Sequence, residues 1–257
     1  MTVRTSPWPT GVPCWTNLTA RDVSAAQAFY GAVLGWTYSA PAEEFGGYVV
    51  ATVDGYPAAG IAPVMGGAPG WTVFIASDDV DKTAAAVNEH GGTLVFPPDQ
   101  VGPLGRMIAA TDPTGAAFGV WEHGEHIGAG VYNEPGGLTW EDLRSSDPDA
   151  ARAFYTAVFG YETQGIPEAG PDYATFSLPG GEPMGGIGGM MGREGIASHW
   201  LPYFGVRDLV AAVADAESKG GAVHMRDFET PYGRMAALAD PEGSAFWVVE
   251  VPPRAES

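Results

Sequence analysis

The side chains that could do chemistry are few, and the densest group of them is Glu122, His123, Glu125 and His126. Side chains of these types bind zinc and similar metals. Their spacing within a glycine-containing segment fixes no geometry, so we interpret them as part of a linker and not as a metal site. The sequence shows no glycine-rich phosphate-binding loop and no order typical of a serine–histidine–aspartate triad.

The composition narrows the range of partners. The chain has 12 Lys and Arg residues against 31 Asp and Glu residues, a net charge of −19 that repels phosphate backbones, so we expect no nucleic-acid partner. No apolar run approaches the roughly 20 residues of a membrane helix, and residues 1–10 lack the apolar core of a secretory signal. Cys14 is the only cysteine, so no intramolecular disulfide is possible. We expect a cytoplasmic protein without a membrane partner, either a monomer or a homodimer.

An internal repeat is the strongest signal in the sequence. Phe29-Tyr30 recurs 125 residues later as Phe154-Tyr155, and the Asp-Pro-x-Gly of residues 112–115 recurs 128 residues later at 240–243. Two further blocks recur in the same order, Asp78-Asp79-Val80 with Arg207-Asp208-Leu209 and Gly105-Arg106-Met107 with Gly233-Arg234-Met235. Four blocks at nearly constant spacing indicate a duplication. We therefore predict one domain at 1–122, a linker at 123–138 and a second domain at 139–257.

Each copy has the pattern of an α+β domain, with the order β-α-β-β-β-β-α-β-β-β. The first helix of each copy is predicted to begin after Asp22 or Asp147, which can serve as N-caps, and Pro148 suits the first helical position. Ser24 with Gln27 is a rival capping box in the first copy. Glycines at 35, 91, 160 and 220 are predicted to end the four helices in left-handed conformation. Each copy is thus two βαβββ units, and four such units can pair their curved sheets to enclose clefts.

The remaining predicted elements are the following. In the first copy we predict strands at 14–18, 48–53, 59–65, 71–76, 93–96, 106–111 and 116–121 and a helix at 79–90; in the second copy we predict strands at 139–143, 173–178, 184–190, 200–206, 222–225, 234–239 and 245–249 and a helix at 208–219.

These motifs resemble those of the vicinal-oxygen-chelate superfamily, which includes glyoxalase, bleomycin-resistance and extradiol-dioxygenase proteins. The resemblance is carried by Asp22…Phe29-Tyr30…Leu34-Gly35-Trp36 and by the Asp-Pro-x-Gly hairpin of residues 112–115, and both motifs recur in the second copy. The chain is also similar to two-domain actinobacterial proteins labelled hydroxylase or glyoxalase-like. One fold hosts many chemistries, so the resemblance implies the fold more strongly than the reaction.

The resemblance also implies where a metal would be held, because the best-known members bind a divalent ion through His or Glu from four strands. The corresponding positions are Trp15, Thr72 and Gly119 in the first copy and Trp140, Leu201 and Trp247 in the second, with a fourth in each glycine-rich stretch, 57–70 and 183–192. None of these residues is a usual metal ligand, and both stretches lack Asp, Glu, His and Cys. We therefore expect no cofactor. A divalent metal with unusual ligands is the alternative.

The lack of usual metal ligands at these positions favours metal-independent binding of an aromatic or polycyclic small molecule, with or without its conversion. Trp15, Trp140 and Trp247 are candidates for an aromatic wall; the alternative is that they fill the space that the metal left. Asn17 and Asp142 lie two residues beyond two of these tryptophans, hence on the same strand face. Asp142 could orient a ligand hydroxyl or act as a base, and the alternative is an ordinary strand-end carboxylate in water.

His199 is the histidine that the resemblance places near the expected site, where it could donate to a ligand or serve in acid–base chemistry. It could equally be a simple loop residue. Tyr203 and the corresponding Phe74 share the face of Leu201 and Thr72. Trp121 is expected to pack in the core, and Cys14 is expected to be buried, inert and directed away from Trp15.

Arg106 and Arg234 recur in the same motif, and we expect each to pair with a carboxylate near its hairpin. Two other classes of function stay open. The first is a glyoxalase- or dioxygenase-like enzyme, either a metal-dependent lyase or oxygenase or a metal-free acid–base catalyst. The second is a partner-binding protein with no small ligand.

Overall fold

The computed structural model describes residues 3–190, 192, 195–230 and 233–251. Within these ranges the chain forms two eight-stranded mixed sheets and four α-helices. Each copy of the repeat builds one whole sheet from its own strands. The predicted α+β fold, with two βαβββ units in each copy, is confirmed.

The elements of the first copy are as follows: β1 Pro13–Ala20, α1 Val23–Leu34, β2 Thr37–Tyr38, β3 Val49–Val53, β4 Tyr56–Pro63, β5 Gly70–Ser77, α2 Val80–Glu89, β6 Thr93–Val101, β7 Gly105–Thr111 and β8 Ala117–His123. The strand order across the sheet is β2-β3-β4-β1-β5-β8-β7-β6. The antiparallel pair β1–β5 at the centre joins the two units edge to edge.

The second copy repeats this plan: β9 Leu138–Ser145, α3 Pro148–Phe159, β10 Glu162–Gly165, β11 Ala174–Ser177, β12 Gly185–Gly189, β13 His199–Val206, α4 Leu209–Ser218, β14 Ala222–Thr230, β15 Gly233–Ala239 and β16 Ala245–Glu250. The order is β10-β11-β12-β9-β13-β16-β15-β14, with β9–β13 as the central antiparallel pair.

The helix ends follow the sequence signals closely. The Asp22 carboxylate accepts a hydrogen bond from the Ala25 amide at 2.9 Å and caps α1, so the rival capping box is wrong. The Asp147 carboxylate caps α3 in the same way, with Pro148 at the first helical position. The glycines at 35, 91, 160 and 220 all have positive φ, between 72° and 88°, as predicted.

The outer strands β6 and β14 are longer than predicted. The predicted strand ends at Phe96, directly before Pro97 and Pro98, which lack an amide hydrogen. The strand instead continues to Val101. β6 lies at the edge of its sheet, where a proline costs no ladder hydrogen bond. Register shifts on both sides of Phe96 absorb the irregularity.

The two sheets pack through their helix-bearing faces, with α1 against α4 and α2 against α3. Each hydrophobic core therefore mixes the copies. One core joins α1 and β1 of the first copy to α4 and β16 of the second, and the other joins α2 and β8 to α3 and β12.

The repeated Phe-Tyr and Asp-Pro motifs meet across this interface. The Tyr30 hydroxyl donates to Asp240 of the other copy at 3.1 Å. In the reciprocal position, Tyr155 lies close enough to Asp112 for that carboxylate, together with burial, to raise the pKa of the tyrosine. The motifs that revealed the duplication thus hold the two copies together.

Candidate functional site

The face of each sheet that bears no helix carries the predicted site residues. We call this face of the first sheet, with Trp15 and Phe74, the first cleft. We call the same face of the second sheet, with Trp140 and Tyr203, the second cleft.

The second cleft contains a row of three aromatic side chains. The strand register places Trp140 beside Tyr203 and Tyr203 beside Trp247, across β9, β13 and β16. The rings of Tyr203 and Trp247 stack, with centroids 5.3 Å apart and planes inclined by 3°. Tyr203 is buried, whereas Trp140 and Trp247 are half-buried. The two indoles therefore keep part of their surface available.

Asp142 lies beneath this row and is 1% exposed. One carboxylate oxygen accepts from the Trp140 indole at 3.0 Å and from the Tyr173 hydroxyl at 2.8 Å. The other accepts from the Tyr203 hydroxyl at 2.7 Å and from the Arg144 guanidinium. The reading of Asp142 as a strand-end carboxylate in water is therefore wrong. A buried carboxylate needs such partners, and these four donors fill its capacity.

This network keeps the tyrosines neutral. Burial, followed by the charge of Asp142, raises the pKa of both Tyr173 and Tyr203 above the ordinary value. Both hydroxyls therefore remain protonated at neutral pH and remain donors to Asp142. For Asp142 to take a proton from a ligand, one of its four donors would have to leave.

The glycine-rich strand β12 makes room for the cluster. A Cβ at Gly186 would lie 2.0 Å from the Tyr173 hydroxyl and 2.6 Å from an Asp142 oxygen. A Cβ at Gly188 would lie 2.7 Å from the Tyr173 ring and 3.1 Å from Nη1 of Arg144. Glycine at both positions lets the tyrosine and the arginine lie over the sheet.

Leu201 and His199 complete the candidate residues on this face. Leu201 pairs in register with Asp142, His199 pairs with Arg144, and both are half-buried. Nδ1 of His199 lies 2.8 Å from the Ala197 carbonyl oxygen, which can only accept, so Nδ1 carries the proton. His199 is the first residue of β13 and not a loop residue.

Sequence reasoning missed Arg144 and Tyr173 as members of the site. Arg144 follows Asp142 by two residues and so shares its strand face, a signal that was available. Tyr173 follows Tyr48 by 125 residues, the spacing of the repeat, but only the neighbouring glycines bring it over the carboxylate.

The first cleft has a different interior. The Trp15 indole donates to the Tyr48 hydroxyl at 3.0 Å, and Asn17 stands where Asp142 stands in the second copy. The Phe74 ring occupies the space above Gly119, where a Cβ would lie 2.3 Å from the ring. Thr72, the partner of Asn17 in register, is half-buried.

The segment that connects β8 to β9, which we call the linker, contributes His126 to the first cleft. The imidazole lies edge-on to Trp15 with centroids 4.5 Å apart and to Trp121 with centroids 5.6 Å apart. The Trp121 indole donates to the His126 carbonyl oxygen at 2.8 Å. Burial lowers the pKa of His126 to about 4, so the ring is neutral at pH 7. Trp15 is left 5% exposed and Trp121 8% exposed, the latter packed in the core as expected.

The structure also shows the surroundings of the two repeated arginines and of Cys14. Arg106 pairs with Asp81, and Arg234 pairs with Asp227, each at 2.8 Å, so both are confirmed as ion-pair residues. Cys14 is buried at 1% exposure, and burial with the charge of Glu141 raises its pKa, which keeps the thiol protonated. Of the four helices described, none is long and apolar enough to cross a membrane.

The residues at the expected metal positions do not fit a divalent ion. An indole and an alkyl side chain, at Trp140, Leu201 and Trp247, offer no lone pair for coordination. The nearest carboxylate, Asp142, already accepts four hydrogen bonds. Across the described ranges, no three His, Cys, Asp or Glu residues are grouped so that they could hold a metal.

With this geometry established, the chain can be placed among known proteins. The family model of the glyoxalase/bleomycin resistance protein/dioxygenase superfamily matches residues 14–120 and 137–248, and the chain belongs to this family. A curated relative, "Putative glyoxylase CFP32" of Mycobacterium tuberculosis (strain CDC 1551 / Oshkosh), is 39% identical over 255 residues, covering 95% of this chain and 96% of the relative. "Anthracycline biosynthesis protein DnrV" of Streptomyces peucetius is 34% identical over 258 residues, covering 94% of each.

Solved structures agree on the fold. The Mn(II)-bound glyoxalase from Novosphingobium aromaticivorans superposes with a TM-score of 0.67 at 14% identity, covering 96% of this chain and 85% of that one. The 2,3-dioxygenase LapB from Pseudomonas sp. KL28 gives 0.65 at 14% identity, covering 96% and 95%. At such identities the likeness concerns the fold alone.

Proposed function

We propose that the protein binds an aromatic or polycyclic small molecule in the second cleft, without a metal ion. The observation that carries this proposal is the contrast between corresponding tryptophans. Trp15 is buried beneath a linker side chain, whereas Trp140 and Trp247 keep exposed ring surface beside a fixed polar cluster.

The second cleft has the composition of a small-molecule site. Such sites combine apolar and aromatic walls with a few well-placed polar groups. Trp140, Trp247 and Leu201 supply the apolar wall, against which a flat ring system stacks favourably. Asp142 serves as a positioning residue, since its hydrogen bonds hold Trp140 and Tyr203 in place.

The proposal assigns a structural role to the corresponding residues of the first copy. Trp15, Phe74 and Gly119 pack against one another or against His126. Asn17 and Thr72 lie at the other end of the same face and have no charged counterpart to the Asp142–Arg144 pair. These five residues then support the sheet and do not contact the ligand.

Metal independence is supported by the donor chemistry of the second cleft. The name of the Streptomyces peucetius relative adds support for the ligand class, because anthracyclines are polycyclic aromatic compounds. If the bound molecule is also converted, His199 is our candidate for proton transfer. Its Nδ1 is engaged with a backbone carbonyl, which leaves Nε2 to contact a ligand.

The test is isothermal titration calorimetry of the whole chain with 2-acetylnaphthalene, with EDTA present throughout. We expect saturable binding that Trp247→Ala weakens at least tenfold, about 1.4 kcal/mol, since the stacking surface is lost. Trp8→Ala is the matched control, because Trp8 is also half-buried but lies in the first copy, near Tyr132.

Binding that appears only when a divalent metal replaces EDTA would overturn metal independence. An equal loss of affinity in both tryptophan variants would overturn the placement of the site in the second cleft.

A further inference from the structure

We infer that Arg144 selects ligands that carry a neutral carbonyl oxygen conjugated to the aromatic ring system. This inference rests on the proposed function, and it names the ligand class more narrowly.

Arg144 is held in a defined position at the second cleft. One guanidinium nitrogen, Nη2, donates to the Asp142 carboxylate, and the guanidinium carbon lies 5.3 Å from the centroid of the Tyr173 ring. The side chain is 13% exposed. A guanidinium fixed by an ion pair and an aromatic face loses little further freedom when it binds a ligand.

Arg144 also retains unused hydrogen-bond donors. Its hydrogen-bonding partners are Asp142 and the Tyr203 hydroxyl, whereas a guanidinium has five N–H donors, so the group keeps donors for a ligand. The other donors of the cluster are occupied, because the Trp140 indole and the hydroxyls of Tyr173 and Tyr203 all donate to Asp142. The free donors that surround Asp142 therefore come from Arg144, and a complementary ligand must supply an acceptor.

The charges around the site favour a neutral acceptor over an anion. Asp142 already neutralises the guanidinium, and an anionic ligand would place a second negative charge beside a buried carboxylate. The net charge of −19 adds to this repulsion over longer distances. A carbonyl oxygen on an aryl ketone or quinone gains the charge-assisted hydrogen bond without adding a charge.

The first copy has no arginine at the position that corresponds to Arg144. Thr19 stands at the position that corresponds to Arg144, and its hydroxyl bonds back to the Gly70 carbonyl at 3.4 Å. Selection for a carbonyl oxygen is therefore expected in the second cleft alone.

The experiment compares three naphthalenes of similar shape by calorimetry: 2-acetylnaphthalene, which has a neutral acceptor, 2-ethylnaphthalene, which has none, and 2-naphthoate, which is an anion. We expect the ketone to bind about tenfold more tightly than either of the other two, the size of one hydrogen bond to a charged group. Arg144→Met should abolish the preference for the ketone over the ethyl compound. Arg144→Lys, which keeps the charge but not the planar fork, should retain part of it.

Two controls keep the result interpretable. Arg106→Met removes an arginine that is ion-paired with Asp81 in the first copy and should leave all three affinities unchanged. Circular dichroism of each variant shows whether the fold is retained, and Arg144→Lys tests the inference if Arg144→Met does not fold.

The outcomes separate the inference from the proposed function. Equal affinity for the ketone and the ethyl compound, unchanged in the Arg144 variants, would overturn the role of Arg144 and leave aromatic binding standing. Tightest binding of the naphthoate would overturn the neutral-acceptor class. No binding of any of the three would contradict the proposed function and this inference with it.

Discussion

The two clefts of this chain occupy corresponding strands of two copies of one fold, yet they have different interiors. In the first cleft Phe74 fills the space above Gly119, and the linker places His126 against Trp15. In the second cleft Trp247 replaces that glycine, and a buried ion pair replaces an amide and a hydroxyl. The comparison teaches that corresponding strand positions of a duplicated fold can have two roles. They pack the interior in one copy, and they form a polar, partly exposed surface in the other.

The largest expected effect concerns the matched tryptophans Trp15 and Trp140. Trp15→Ala should lower the free energy of unfolding by about 3–5 kcal/mol, because it leaves a cavity beneath His126. Trp140→Ala should cost clearly less, since that ring is half-buried. Urea denaturation of both variants measures the difference, and equal losses would mean that the two clefts are packed alike.

A second expected effect concerns the charge pair that distinguishes the second cleft. Asp142→Asn should lower the free energy of unfolding by about 3 kcal/mol, because Arg144 would keep its charge in a mostly buried position without a counter-charge. Asp147→Asn is the control, since asparagine is also a good N-cap for α3. If both variants unfold at the same urea concentration, the cluster does not hold the second cleft together.

A third expected effect appears only as the pH falls below 6.5, and it concerns the linker histidine. The folded-state pKa of His126, about 4, lies below the usual value of about 6.5. Between these two values the unfolded chain binds more protons, so stability is present above pH 6.5 and is lost as the pH falls towards 4, by up to about 3 kcal/mol. His126→Phe should flatten this dependence in urea titrations between pH 4 and 7. The exposed His90, changed to Gln, should leave it unchanged; a similar slope in all three proteins would show that His126 is not buried as described.

Much of the fold was predictable because its signals are local and occur twice. Asp22 and Asp147 predict where two helices begin, and the glycines after each helix predict where it ends. The alternation of apolar and polar side chains predicts the strands. The family's ligand positions also pointed to Trp140, Leu201 and Trp247, but the register places Tyr203, two residues beyond Leu201, between the two tryptophans.

The sequence did not predict the positions of Tyr173, His126 and Glu141, because these depend on contacts between distant segments. Tyr173 reaches Asp142 because two glycines on a neighbouring strand leave space for its ring. His126 enters the first cleft from a segment with no periodicity to guide a prediction. Glu141 lies in the middle of β9 beside the charged Asp142, yet it is 4% exposed, and burial raises its pKa.

The exchange of motifs across the interface has a further consequence. Since Tyr30 bonds to Asp240 and each core draws one unit from each copy, neither half can complete a hydrophobic core by itself. The chain is in effect a dimer whose subunits share one polypeptide. A protease cut within residues 123–138 would then yield two fragments that stay associated, and the two halves, produced separately, would be suited to reassemble as a split protein.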